Sequence, residues 1–171
     1  MKTYIVLFRG INVGGKNLVP MKELVNALEE SDYQQVQTYI QSGNVILQSP
    51  VNPDNIASIV QDRFGFEPSV MVLEAHEFAA AAGNNPFSSP NGKDVHIYFC
   101  QDNPGLNQTK LEKYQASSEK YHLDGKAFYL YAPDGIGKSK LAANLESCLG
   151  VAATGRNLNT IEKLLHMLQN P

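Results

Sequence analysis

Apolar positions along the chain fall into short continuous runs and helix-spaced stripes, which follow one another in a repeating order. Residues 4–9 form a β-branched and aromatic run closed by Gly10, which predicts a strand. A glycine-rich loop follows, and Pro20 suits the first position of a helix. Met21, Leu24, Val25 and Leu28 recur at the i, i+3, i+4, i+7 spacing of one apolar helix face. Residues 36–40 and 45–48 read as two strands around the turn Gln41-Ser42-Gly43-Asn44. Asn52 and Pro53 predict the start of a second helix, with Ile56, Ile59, Val60 and Phe64 facing inward, and residues 69–73 form another strand. The order β-α-β-β-α-β is the ferredoxin-like unit.

The second half repeats that order. A short alanine-rich helix near residues 76–82 and a polar loop come first. Val95, Ile97 and Phe99 alternate as in a strand, and Leu111 with Tyr114 marks a helix. Residues 121–123 and 127–131 flank Asp124-Gly125, a strong hairpin signal. Leu141, Leu145, Cys148 and Leu149 form a helical stripe, and residues 151–154 read as a short strand. The hairpin glycines Gly43 and Gly125 lie 82 positions apart, and the fourth strands, starting near residues 70 and 151, lie 81 apart. Matching offsets predict two copies of one plan, although few residues are shared. A last helix carries Ile161, Leu164, Leu165 and Leu168 on one face, with Asn159 and Glu162 as a capping-box-like start. The expected architecture is α+β: two ferredoxin-like (βαββαβ) subdomains, residues 1–75 and 76–171, the second ending in the terminal helix.

Composition narrows the function. With 43% hydrophobic and 18% charged residues and a formal net charge of −3, the chain reads as an ordinary soluble globular protein. Disorder, coiled coil and a globally basic nucleic-acid binder are excluded. The first apolar run, residues 4–8, is too short for a signal sequence or a membrane span, so the expected setting is cytoplasmic, without a membrane. Cys100 and Cys148 have no CxxC spacing and read as buried small hydrophobes of a reducing compartment. The four histidines make no metal-ligand pattern, so no metal site is assigned.

Four polar segments remain as candidates for chemistry. Arg9-Gly10-Ile11-Asn12-Val13-Gly14-Gly15-Lys16-Asn17 fits the GxxxxGK spacing of a phosphate loop. Asn17 stands where that loop needs Ser or Thr, and a hairpin follows where it needs a parallel sheet, so the NTPase reading is rejected. A loop of solvated charges is the bland alternative to anion binding. Asp134-Gly135-Ile136-Gly137-Lys138-Ser139-Lys140 reads either as a turn with Ser139 as helix cap or as a phosphate-contacting helix start. Arg156 and Asn157 precede the last helix, and Arg suits two-pronged contact with phosphate or carboxylate. The turn with Ser42 and Asn44 is explained by turn chemistry, with a ligand role as the minority view. These segments supply Arg, Lys, Asn and Ser with almost no acid, and residues 1–22 hold four basic residues and no acidic one. Such a set donates hydrogen bonds to an anion and offers no nucleophile–base couple.

The strings RGINVGGKN with VPM after it, TYIQSGNV, DGIGKSKL and ATGRNLNT, in this order, resemble the domain-of-unknown-function 1697 family over essentially the whole chain. The resemblance implies an α+β fold with a ferredoxin-like N-terminal part and no established activity. The family pattern carries an aromatic residue where this chain has Leu158, and commonly Arg where it has Lys138. Together these motifs lead to the expectation that Arg9, Asn12, Lys16, Asn17, Ser42, Asn44, Lys138, Ser139, Lys140, Arg156 and Asn157 line one cleft between the subdomains. Three readings stand, in this order: binding of a phosphorylated or other anionic small molecule such as a nucleotide; an RNA- or DNA-binding module; a structural or interaction protein without a small ligand. Neither a cofactor nor a reaction is assigned.

Overall fold

The computed structural model describes all 171 residues. Strand β1 (Lys2–Arg9) runs through the middle of the first sheet, pairing antiparallel with β3 (Asn44–Ser49) on one side and β4 (Ser69–Glu74) on the other. Strand β2 (Gln34–Tyr39) closes the order β2-β3-β1-β4, and helices α1 (Met21–Glu30) and α2 (Ile56–Phe64) supply the two crossovers. Tyr4, Val6 and Phe8 point to the helical layer, where they meet Leu24 and Leu28 of α1 and Ile56 and Val60 of α2. Ile5 and Leu7 point to the opposite face and are just as buried, as are Ile46 and Met71. Burial on both faces explains why β1 is a continuous apolar run and not an alternating one. Each such fully buried side chain stabilises the fold by ~1.5–3 kcal/mol.

The same plan recurs after α3 (Ala75–Gly83). Strands β5 (Val95–Cys100), β6 (Lys120–Asp124), β7 (Ala127–Tyr131) and β8 (Ala153–Asn157) form an antiparallel sheet of order β6-β7-β5-β8. Helices α4 (Gln108–Tyr114), α5 (Lys140–Ala143) and α6 (Leu145–Leu149) cover one face through Leu111, Leu141, Leu145, Cys148 and Leu149. Helix α7 (Leu158–Gln169) ends the chain. Contacts divide it into two compact units, Met1–Ala80 with His166–Pro171, and Ala81–Leu165. Cys100 and Cys148 are both free and buried in the second core.

Several boundaries differ from the sequence reading. Pro20 sits just before α1 in extended backbone. Helix α2 starts after Asn55, not at Pro53, because residues 50–55 carry the chain from sheet to helical layer, and Asn55 accepts a hydrogen bond from the Tyr33 hydroxyl. The single helix expected over residues 141–149 is broken at Asn144, whose Nδ2 donates to the Lys140 carbonyl at 2.7 Å and competes with the helical ladder. The last helix is capped by Asn157, not Asn159: Asn157 Oδ1 accepts from the Thr160 N–H at 3.0 Å. Pairing of β8 runs up to Asn157, so the helix begins at once after it.

Candidate functional site

The end of β1 and the loop beyond it form the most elaborated part of the N-terminal unit. Gly10, Asn12, Gly14, Gly15 and Asn17 all have positive φ, so the backbone from Gly10 to Asn17 turns repeatedly through left-handed conformations. Glycine and asparagine are the residues that tolerate this region. Asn12 locks the loop. Its backbone N–H donates to the Asn17 carbonyl at 3.0 Å, and its Oδ1 accepts from the Val19 N–H at 2.7 Å. Its Nδ2 donates to the Val19 carbonyl at 3.0 Å and to the Gln41 carbonyl at 2.8 Å. One amide therefore ties both ends of the loop to the β2–β3 turn. Asn17 Nδ2 adds a bond to the Gly10 carbonyl at 3.1 Å, and the Lys16 N–H one to Val13 at 3.0 Å. The loop's internal hydrogen bonds leave out the N–H groups of Gly14 and Gly15.

The turn is fitted against the same corner. Gly43 has φ +95°, and a Cβ placed there would lie 2.7 Å from both Ile11 Cδ1 and Phe8 Cβ. Its carbonyl accepts from the Phe8 N–H at 2.9 Å. Asn44 is fully buried and its Nδ2 donates to the Tyr39 carbonyl at 3.0 Å. Ser42 is exposed. Ile40 is a finding that the sequence reading missed. The pattern over residues 36–40 places it at the end of a strand, but it lies in the turn with φ +53° and is 47% exposed.

Of the four early cations, Lys2 is set apart at the start of β1, where its Nζ pairs with Glu74 at 2.8 Å. The strand's rise of ~3.3 Å per residue separates it from Arg9 by roughly 20 Å. Arg9, at the far end of β1, shares the face of Ile5 and Leu7, opposite to Phe8. Lys16 is exposed and makes no ion pair. Thus the structure joins the loop of Asn12, Lys16 and Asn17 to the turn of Ser42 and Asn44, but it engages Asn12, Asn17 and Asn44 in holding the backbone.

The remaining candidates lie in the C-terminal unit. Ser139 is buried, and its Oγ accepts from the Ala142 N–H at 3.0 Å, capping the four-residue α5. Lys138 and Lys140 flank it and are exposed. Arg156 lies on β8 opposite Ile97, and its Nη1 donates to the Gly155 carbonyl at 2.9 Å. Burial lowers its pKa to about 10, which still leaves it charged at neutral pH. Asn157 is engaged as the cap of α7. A hollow of about 340 Å³ lies between Tyr98, Ala153 and the α5–α6 bend from Ala142 to Ser147. No group of three His, Cys, Asp or Glu side chains is arranged to hold a metal, and no helix is long and apolar enough to cross a membrane.

Two sheets with the same strand order, each with its crossover helices on one face, define a protein of duplicated ferredoxin-like α+β architecture. The chain belongs to the family described as protein of unknown function (DUF1697), whose sequence profile matches residues 1–129. That span holds the Asn12 loop and the Gly43 turn, and ends before Lys138. The structure is similar to that of conserved bacterial protein SP0830 from Streptococcus pneumoniae, with a TM-score of 0.71 and 25% sequence identity, covering 98% of each chain. No curated protein matches this chain.

Proposed function

We propose that this protein binds a phosphate-bearing or other anionic small molecule, nucleotide-like in character, at the corner made by the Gly10–Val19 loop and the β2–β3 turn. One observation carries the reading: a loop held by the Asn12 amide keeps the unpaired Lys16 beside two glycine N–H groups that the loop does not use. Backbone N–H groups in left-handed turns and a nearby cation are what an oxyanion needs. The free buried thiols support a cytoplasmic setting.

A nucleic-acid module has less support. Ferredoxin-like RNA binders stack bases on aromatics of the sheet face away from the helices. Here that face carries buried aliphatic residues, Ile5, Leu7 and Ile46, in the first sheet, and β3 has no aromatic residue.

The test is a titration of the ¹⁵N-labelled protein with inorganic phosphate and with AMP. Amide shifts centred on Gly14, Gly15 and Lys16 are expected. Lys16→Ala should weaken binding roughly tenfold, since a charge-assisted hydrogen bond contributes ~1.5–3 kcal/mol. Shifts absent at millimolar ligand, or confined to other segments, would overturn the proposal.

A further inference from the structure

Only five large hydrophobic residues are exposed in the chain: Met1, Val13, Leu18, Ile40 and Val51. Three of these adjoin the members of one hydrogen-bonded clip. Val13 follows Asn12, Leu18 precedes Val19, and Ile40 precedes Gln41, and Asn12 is bonded to both Val19 and Gln41. The clip therefore brings the backbone of three exposed aliphatic residues to the corner that also carries Lys16.

Ile40 makes the arrangement specific. Of the five non-glycine residues with positive φ, Asn12, Asn17, Asp32, Gln35 and Ile40, it alone is β-branched. Glycine or asparagine would occupy such a turn position without strain. The chain instead keeps a strained, half-exposed aliphatic residue there. Strain of this kind persists where a side chain is needed at a ligand clamp. A contact group fixed in advance also lowers the entropy lost on binding.

Resting on the anion-binding reading, we infer that the ligand is an amphiphilic anion: an oxyanion group taken by Lys16 and the glycine loop, carrying an apolar or aromatic group that lies against Val13, Leu18 and Ile40. Its class is that of a nucleoside monophosphate or an alkyl phosphate, and not a bare inorganic ion. Aliphatic contacts beside a cation match both halves of such a molecule, and the hydrogen-bonded rigidity of the corner suits a ligand of defined shape.

Calorimetric titration with three probes, inorganic phosphate, AMP and octyl phosphate, tests this. The wild type should bind AMP or octyl phosphate at least tenfold more tightly than inorganic phosphate. Ile40→Asn, whose new residue suits positive φ, should remove at least fivefold of that advantage while leaving phosphate affinity unchanged. Leu18→Ser, at an exposed position, repeats the measurement should Ile40→Asn fold poorly. Equal affinity for all three probes overturns this inference and leaves the anion-binding reading standing. Preference for AMP that survives both substitutions also overturns it, because the apolar group then lies elsewhere. Binding of none of the probes overturns both readings.

Discussion

Replacing Gly43 with alanine measures how tightly the turn is fitted to the loop. Two separate penalties apply. The residue has φ +95°, where an L side chain is strained by about 1–2 kcal/mol. Its Cβ would also sit 2.7 Å from Phe8 Cβ and Ile11 Cδ1, both of residues that are fully buried and cannot swing away. Overpacking of this kind adds about 1–3 kcal/mol. Gly125→Ala is the matched control. Gly125 is also a hairpin glycine with φ +59°, but nothing lies within 4 Å of its Cβ position, so only the strain applies. The difference between the two variants isolates the packing of the turn on Ile11 and Phe8. It should be about 1–3 kcal/mol, a large share of a domain's usual ~5–15 kcal/mol. Because the chain has two compact units, the readout should be local: native-state exchange of the Ile5, Val6 and Leu47 amides for the first, and of Ile97 and Phe128 for the second. Equal destabilisation by the two alanines would refute the argument that this turn and the loop are packed as one piece.

Other expectations follow from single groups. Asn12→Ala removes the two bonds that close the loop on Val19 and the one that ties it to Gln41 of the turn, so the amides of residues 13–18 should exchange faster and phosphate binding should weaken; unchanged exchange would mean the clip is dispensable. Asn157→Ala should destabilise α7 by about 1 kcal/mol, measured by urea unfolding, with Asn159→Ala nearly neutral. Burial holds the Cys100 thiol up at about 11, and Cys148 is wholly enclosed in the core, so neither thiol should react with an aromatic disulfide reagent at pH 8 until the protein is unfolded, when two per chain should appear. His96 has a buried Nδ1 without a partner, and burial lowers its pKa below the ordinary 6.5. A depressed histidine contributes stability above the unfolded value that is lost as pH falls below it, because the unfolded chain then binds the proton first. His96→Phe should flatten the loss of stability between pH 7.5 and 5.5, and an unchanged slope would assign that loss to other groups.

The fold was legible where one physical signal dominated. The apolar run of β1 and the Asp124-Gly125 turn needed no long-range information, and the repeat of strand order followed from spacing. The site was less legible because an amide has the same chemistry whether it meets a ligand or a backbone carbonyl. The sequence therefore offers Asn12, Asn17 and Asn44 as ligand donors, and in the fold their amides donate to the carbonyls of Gln41, Gly10 and Tyr39. The Asn12–Gln41 bond spans 29 positions, which no local pattern reports. Ile40 was hidden for the opposite reason: its β-propensity pointed to a strand, and a turn with φ +53° overrode it.

The duplication supplies an internal comparison that bears on where function lies. In the second unit the loop after β5 occupies the place of the Gly10–Val19 loop, between a first strand and a first helix. Its N–H groups go inward: Gln101 donates to the Ala152 carbonyl at 2.9 Å, Gly105 to Leu149 at 2.9 Å, and Asn107 to Cys148 at 2.7 Å. That loop is anchored to α6 and its flanking segment, and the two-residue hairpin at Gly125 has no elaboration beside it. In the first unit the corresponding loop instead bonds to itself and to the neighbouring turn, keeps Gly14 and Gly15 free of internal bonds, and exposes Val13, Lys16 and Leu18. One scaffold thus accommodates both a loop that serves packing and a loop that serves its own shape. Ile11 and Val19, near the two ends of that loop, are buried in the first core, while the stretch from Val13 to Leu18 between them is exposed. The first unit is therefore where the ligand proposed above should be sought.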